Sequence, residues 1–499
     1  MATKNSSVSY LHGAYATIQA IGTKVAANAL NAIVYVGTAP VQTVDGGSEN
    51  VNVPVLVNNI AEARKYFGYS EDWDKYTLCE AMHAHFELNA VGPLVLINVL
   101  DCTAHKAAEA GTASPVPVNG RATITNAEDA VIDTLVVKSG SNTLTKDVDY
   151  TATYDYTKKT ITLAEKKSGA LGTTALTVTF DKVDATKVTD ADVIGAKTSG
   201  KETGVYAISK VYQKTGKIPS FLLAPGFSDT KEVHTAMLTA ANKVNGHWDA
   251  YILADLPLSA WDDPKDDMSA AAEWKTTNGY TAANETVYFP MANGTDGNAY
   301  HLSVLAAANL QTLLVEQDGI PYKTASNTEC AIIESLKFAD AIGECVFDDE
   351  AINDNLNANG IASAAYAGGR WVIWGCHSAD YTAEDGNKIN VSETNRMMLY
   401  YISNDFQHRR MRDVDKPMTA NGLKTIVSEE QTRLDALVKI GALIYGVVTL
   451  DASADSKSDI MNGDYTFAFN VTTTPLAKSL TALVNWTSDG FTTYFDDLT

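Results

Sequence analysis

The run PLVLINVLD (93–101) is apolar at consecutive positions. In an extended chain that places hydrophobic groups on both faces, so it predicts a central strand covered on each side. NAIVYVGTAP (31–40) predicts a second buried strand ended by a turn. Between them, IAEARKYFG (60–68) sets Ile60, Ala63 and Phe67 at helical spacing, and LCEAMHAHFEL (78–88) sets Leu78, Met82 and Phe86 on one helical face. Strand, helix, central strand is the rhythm of an α/β layer.

The texture changes over residues 119–195. DTLVVKSG, DYTATYDYTKKTITLAEKKSG and TALTVTFDKVD are short Thr- and Val-rich runs separated by Gly, Ser, Asn and Lys turns. Their spacing of about ten residues predicts a small inserted β-sandwich. The α/β rhythm then resumes with a helix in GVYAISKVYQKTG, apolar strands in PSFLLAPGFSD and AYILADLP, and a long helix in HLSVLAAANLQTLLVEQDG. A third region begins near Tyr381, with a helix over 421–440 whose Leu423, Ile426, Leu434, Leu437 and Val438 form most of an apolar stripe. Strands are expected in GALIYGVVTL, DYTFAFNVTTTP and the closing ALVNWT.

Both termini carry strand patterns with no evident partner. In AYATIQAI, Tyr15, Thr17, Gln19 and Ile21 alternate with small or apolar residues, and in ALVNWTSDGFTTYF (482–495) Val484 and Trp486 alternate with Asn485 and Thr487. An unpaired strand edge invites another chain.

Composition narrows the function classes. Of 499 residues, 45% are hydrophobic and 20% charged, and 38 Lys plus Arg against 60 Asp plus Glu leave a net charge of −22. That balance argues against nucleic acid and anionic membranes as partners and favours a protein. The five scattered cysteines show no metal or disulfide spacing, the first residues contain no apolar signal core, and no apolar run spans a bilayer, so a cytoplasmic origin is expected. No phosphate-loop, dinucleotide, nucleophile-elbow or zinc-protease motif is present. His83 and His85 lie two apart, on different helix faces, which suits packing better than metal binding. NDNLNANG (353–360) is expected to be a turn, since Tyr366 stands where a calcium loop needs Glu, and the acidic WDDPKDD (261–267) and FDDE (347–350) are expected to be solvated loops. HRRMRD (408–413) is the one concentrated basic patch, a candidate docking site for an acidic protein surface.

Taken in order, FLLAPGFSD, YILADLP, DGIPYKTASN (318–327), LNANGIASAAYAGGRWVIWGCHSAD (356–380) and the run from YYISNDFQHRRMRD to the last strands resemble the contractile tail sheath proteins of myophages and R-type bacteriocins. The β-rich insert with VDYTATYD resembles the sandwich that many such sheaths carry. The resemblance implies an α/β core with a subtilisin-like fold but no proteolytic function, an inserted all-β sandwich and a C-terminal α+β domain. Its implied division is an N-terminal arm 1–24, a core 25–118 and 196–385, a sandwich 119–195, a C-terminal domain 386–480 and a C-terminal arm 481–499.

It also implies a six-start helical homo-oligomer around an inner tail tube protein, with baseplate and tail terminator partners. Such a particle is assembled in the bacterial cytoplasm and contracts without a cofactor. The arms would add strands to neighbouring subunits through Tyr15, Thr17, Ile18 and Ile21 at one end and Leu483, Val484, Trp486, Phe491 and Tyr494 at the other. Arg409, Arg410 and Arg412 become candidate tube contacts. The alternative class is a catalytically inactive hydrolase-like or surface-layer-like protein whose sandwich binds a ligand.

Overall fold

The computed structural model describes residues 24–25, 30–343, 345, 349–382, 388–451 and 457–491. The chain divides into two compact units, Met1–Met411 and Arg412–Thr499.

The first unit is built on one eight-stranded sheet: β1 (Asn31–Gly37), β2 (Val55–Val57), β3 (Leu94–Asn98), β4 (Ile218–Leu223), β5 (Tyr251–Asp255), β6 (Glu285–Tyr288), β7 (Ile361–Ala367) and β8 (Arg370–Trp374). Their spatial order is β8-β7-β6-β5-β4-β1-β3-β2. The strands from β7 to β3 run parallel, and an antiparallel strand closes each edge, β8 beside β7 and β2 beside β3. The run expected to be most central, 93–101, thus lies next to an edge; full burial of β3 on both faces, which its pattern reported, does not require a middle position.

Alternation explains the layers. Ile33, Tyr35, Leu94, Leu96, Phe221, Leu223, Tyr251 and Leu253 point into one apolar cluster, which also holds Leu78 and Met82 of helix Thr77–Met82 and most of α1 (Leu302–Glu316). Val34, Val36, Val95, Ile97, Leu222, Ile252 and Ala254 point into the other, with Val233 and Met237 of helix Lys231–Ala241. Successive residues of one strand face opposite layers, so a sheet sandwiched by helices needs apolar residues at every position.

Several buried polar side chains of these layers meet one another. The Tyr35 hydroxyl lies 2.7 Å from His85 Nε2, and burial pushes that imidazole down to about 3, keeping it neutral. His83, on the other face, instead meets Glu87 at 2.7 Å. His234 and Glu285, both fully buried, join helix Lys231–Ala241 to β6.

Two small sheets hold the β-rich insert. Tyr150–Asp155, Thr160–Glu165 and Arg121–Ile124 form one, and Gly111–Ala113, Thr177–Phe180, Val136–Ser139 and Asn142–Leu144 the other. They enclose their own core, with Ile124, Val137, Tyr150, Ile161, Leu163 and Val178 at its centre. The first strand, Gly111–Ala113, precedes residue 119 because three residues ahead of SPVPVNG carry no alternation to read. Asp184 N–H donates to the His105 carbonyl at 2.9 Å, so the chain leaves and returns to the core side by side.

Helix α2 (Glu393–Arg410) belongs to the first unit, where Glu393, Met397 and Met398 are buried and the Glu393 carboxylate accepts from Thr286 and Thr324 at 2.8 and 2.7 Å. The division after Met411 therefore falls later than the expected start at 386. In place of the expected turn at 353–360 stand a helix Asp349–Asn355 and a 3-10 turn Asn357–Asn359, and WDDPKDD is a loop; part of FDDE lies outside the described residues.

Candidate assembly interface

The second unit is thin. Helix α3 (Ala420–Lys439) starts at Thr419, whose hydroxyl accepts from Gly422 N–H at 3.1 Å, and lies against a hairpin of β9 (Leu443–Leu450) and β10 (Phe467–Thr473). The chain turns from helix to strand at Gly441, whose φ of +79° suits glycine. At Gly446 a Cβ would stand 3.0 Å from Leu434 Cβ, so the missing side chain lets helix and strand approach closely. Ile426, Leu434, Leu437, Leu443 and Val448 are buried between them, whereas Val438, expected in the stripe, is exposed. The buried apolar core of this unit is limited to these side chains and Ala442 among the described residues.

Instead the unit displays apolar surface. Twelve of the nineteen exposed large hydrophobic side chains among the described residues lie after Met411. The densest group is in and just before the expected C-terminal arm: Leu480, Leu483, Val484 and Trp486 are 81–91% exposed and Phe491 55%. Residues 481–487 carry no strand in the isolated chain, contrary to the alternation; an exposed extended segment with no partner strand bonds its backbone to water and forms no ladder. The Trp486 and Phe491 rings are 6.5 Å apart. Tyr15, Thr17, Ile18, Ile21 and Tyr494 lie outside the described residues; Lys24–Val25, just after the first four, pairs in parallel with Val91–Gly92.

The basic patch is split between the units. Arg409 is tied to Asp405 at 3.0 Å along α2, Arg410 is half-buried, and Arg412 is exposed in the second unit.

Between α3 and β9 runs a groove of about 860 Å³, lined by Leu423, Val427, Gln431, Val448 and Leu450 among others. Gln431 spans it: Nε2 donates to the Gly446 carbonyl at 2.9 Å, and Oε1 accepts from Val448 N–H at 3.1 Å. Nothing in the sequence marks Gln431 or Gly446, because a polar helix residue and a strand glycine acquire meaning only once helix and strand are adjacent.

A second concavity, of about 390 Å³, sits in the first unit at the carboxyl ends of β1 and β4, where the strand order reverses. Two of its polar residues, Glu80 and His301, are committed to each other, and Asp255 and Ser303 pair nearby. Glu80 accepts from His301 N–H at 2.6 Å and pairs with His301 Nδ1 at 2.7 Å. Burial alone would lower the His301 pKa, but Glu80, Asp255 and Asp229 together raise it to about 9. Burial pushes Asp255 up to about 6, and its carboxylate accepts from the Ser303 N–H and hydroxyl. The Ser303 hydroxyl thus donates its hydrogen bond to a carboxylate rather than to the imidazole, unlike a nucleophile–base pair. Among the described residues no three His, Cys, Asp or Glu gather as metal ligands, and no helix is long and apolar enough to cross a membrane.

No protein-family model matches the chain. The tail sheath protein of Burkholderia phage BcepMu is 25% identical over 498 residues, spanning 96% of this chain and 97% of its own. The major tail sheath protein of Serratia phage KSP20 is 23% identical over 309 residues, 61% of this chain and 72% of its own. Among solved structures, the helical sheath of the anti-feeding prophage in its contracted state matches with a TM-score of 0.53 at 13% identity, over 97% of this chain and 100% of that one. The sheath complex of PVC, an extracellular contractile injection system, also in the contracted state, matches with a TM-score of 0.53 at 11% identity, over 97% and 99%. At such identities the structural likeness speaks to the mixed α/β fold. End-to-end likeness in sequence and a shared fold make the chain a homologue of the tail sheath proteins.

Proposed function

We propose that the chain is the repeating structural subunit of a contractile tail sheath, not an enzyme, and that it polymerises around an inner tube and drives it forward by contracting. The observation that carries this is the match to a tail sheath protein along 96% of this chain and 97% of that one. The first unit serves as a rigid subtilisin-like scaffold, the sandwich decorates it, and the second unit is the mesh-forming part. Residues 13–23 and 481–496 are arms that each add a strand to a neighbour's C-terminal hairpin, in a six-start helix. The two-stranded hairpin and the exposed apolar arm support this division of labour.

Each link is modest, about 0.5–1.5 kcal/mol per net hydrogen bond plus about 25 cal/mol per Å² of apolar area. A closed mesh multiplies them. Contraction is then a change between two packings of the same subunits, with paired strands kept and the joints beside them absorbing the rotation. Arg409, Arg410 and Arg412 contact the inner tube, while baseplate and terminator proteins cap the ends of a particle assembled in the bacterial cytoplasm.

Electron microscopy of the purified chain tests the reading: rings or hollow tubes are expected, and small particles at all concentrations would overturn it. Deleting residues 481–499 is expected to abolish tubes. Tubes formed without them would refute arm exchange.

A further inference from the structure

The β-rich insert leaves and re-enters the core through a two-stranded stem. Ala107 N–H donates to the Lys182 carbonyl at 2.7 Å and Asp184 N–H to that of His105 at 2.9 Å, with Lys106 bridged to Val183. Such a stem is by itself a hinge, because a domain hung on two strands swings unless a sizeable interface holds it. Three further contacts hold this one, each made by a different loop of the insert.

The first is apolar and buried. In the segment between strands Arg121–Ile124 and Val136–Ser139, Ala127, Ala130, Ile132 and Leu135 belong to the sandwich's own cluster, but Val131 belongs to the core cluster that holds Val41, Tyr76 and Leu78, as does Val183. The same segment meets Gln42, a buried core residue whose amide donates to the Tyr76 hydroxyl at 2.7 Å and to the Glu128 carbonyl at 2.9 Å. The second contact is ionic. Lys146, in the link between Asn142–Leu144 and Tyr150–Asp155, has its ammonium 2.7 Å from Asp45 and 3.3 Å from Asp133, whose other oxygen accepts from Gly46 N–H at 3.0 Å. The third is aromatic. Arg64, on helix Ile60–Phe67, is tied to Glu87 at 2.7 Å and lies 4.7 Å from the ring centres of both Tyr69 and Tyr156, the latter at the tip of the hairpin between Tyr150–Asp155 and Thr160–Glu165.

A stem leaves rotation about its own line free, and contacts on separate loops remove it. We propose that, beyond decorating the first unit, the insert is its brace: it clamps residues 41–46 and helix Ile60–Phe67 and moves with the core as one body. The insert and the core accordingly fall in one compact unit. The Lys146 pairs are partly exposed and contribute least, while the buried Gln42 bonds and the guanidinium between two rings carry more. In a sheath subunit the sandwich would then keep its orientation on the core while subunits repack, but the brace itself does not depend on that reading.

Urea unfolding of the full, unassembled chain tests it. Six of the seven tryptophans lie in the first unit and none within residues 119–195, so tryptophan fluorescence reads the core and not the insert. Tyr156→Ala, a change made in the insert, is expected to raise the unfolding equilibrium constant read by tryptophan about tenfold, and Lys146→Ala about twofold. Lys158→Ala, in the same turn as Tyr156 but with its side chain 76% exposed, is expected to leave it unchanged. A tryptophan transition unmoved by both Tyr156→Ala and Lys146→Ala would overturn the brace. So would hydrogen exchange showing that the insert of the parent chain opens in a separate, earlier step.

A double-mutant cycle separates the contact from the ring's place in its own hairpin. In an Arg64→Ala background, Tyr156→Ala is expected to change the equilibrium constant by no more than about threefold, since its partner is already gone. Effects that multiply without coupling would show that the ring and the guanidinium act apart, and would overturn the clamp. Tube formation bears on the sheath reading alone, so the two can fail separately.

Discussion

The eight-stranded sheet of the first unit and the two-stranded sheet of the second handle their edges in opposite ways. In the first unit, the inner strands β1, β3, β4, β5 and β6 are buried on both faces, and each end of the parallel run is closed by an antiparallel strand. Beyond β8 the chain adds another layer of bonds, with Cys330 N–H donating to the Trp371 carbonyl at 2.9 Å and Ile373 N–H to that of Thr328 at 3.1 Å. β2, at the far edge, is only three residues long. In the second unit two strands stand under one helix, and the outward groups of β9 are met by a side chain. A sheet that must hold its shape hides its edges, and the proposed strand exchange would need one edge that stays exchangeable.

The contrast breaks most visibly by mutation. Leu222→Ala, in the fully buried centre of β4, is expected to cost about 2–5 kcal/mol of unfolding free energy in denaturant titration. An unfolding midpoint that hardly moves would show that the core tolerates the cavity.

Next in size is a pH effect confined to the first unit. The His301 pKa is raised from 6.5 to about 9, so its stabilising contribution is complete below about pH 6.5 and is lost as pH rises through 9. At about 1.4 kcal/mol per unit this is on the order of 3 kcal/mol. Thermal melts between pH 6 and 10 are expected to show the decline, and His301→Gln to flatten it.

Trp486→Ala sharpens the comparison from the other side. With Trp486 81% exposed, folding stability is expected to change by no more than about 0.5 kcal/mol, while the subunit concentration needed for tubes rises by a factor of about 30, the equivalent of a 2 kcal/mol anchor. Sedimentation of tubes against subunit concentration reads this directly. A drop in monomer stability with unchanged polymerisation would place Trp486 with the core.

The smallest effect is expected for Arg409→Ala. Its ion pair with Asp405 is partly exposed and contributes less than about 1 kcal/mol to folding. A change in binding to the inner tube without a change in stability would support the proposed contact, and unchanged binding would remove it.

Much of the fold was legible because each element wrote its environment into its own residues. β1, β3, β4 and β5 are apolar at nearly every position since both faces are covered, and α3 carries its stripe because one side meets the hairpin. The proposed interface was legible only in half. Val484 and Trp486 advertise a strand without a partner, yet residues 481–487 form none alone, and local alternation cannot show that the partner is missing.

The sequence by itself determined the two-faced strands, the β-rich run, the long helices and the exposed apolar segment near the C-terminus, since hydrophobic periodicity follows from burial of one or both faces of an element. Only the tertiary structure decided which strands lie at the edges, where the second unit begins, how Glu80 meets His301 across 221 positions, and that Gln431 lies on the edge of β9. Those are relations between segments distant along the chain or on separate elements, and no local pattern encodes them, because the energy that selects them appears only when the segments are packed together.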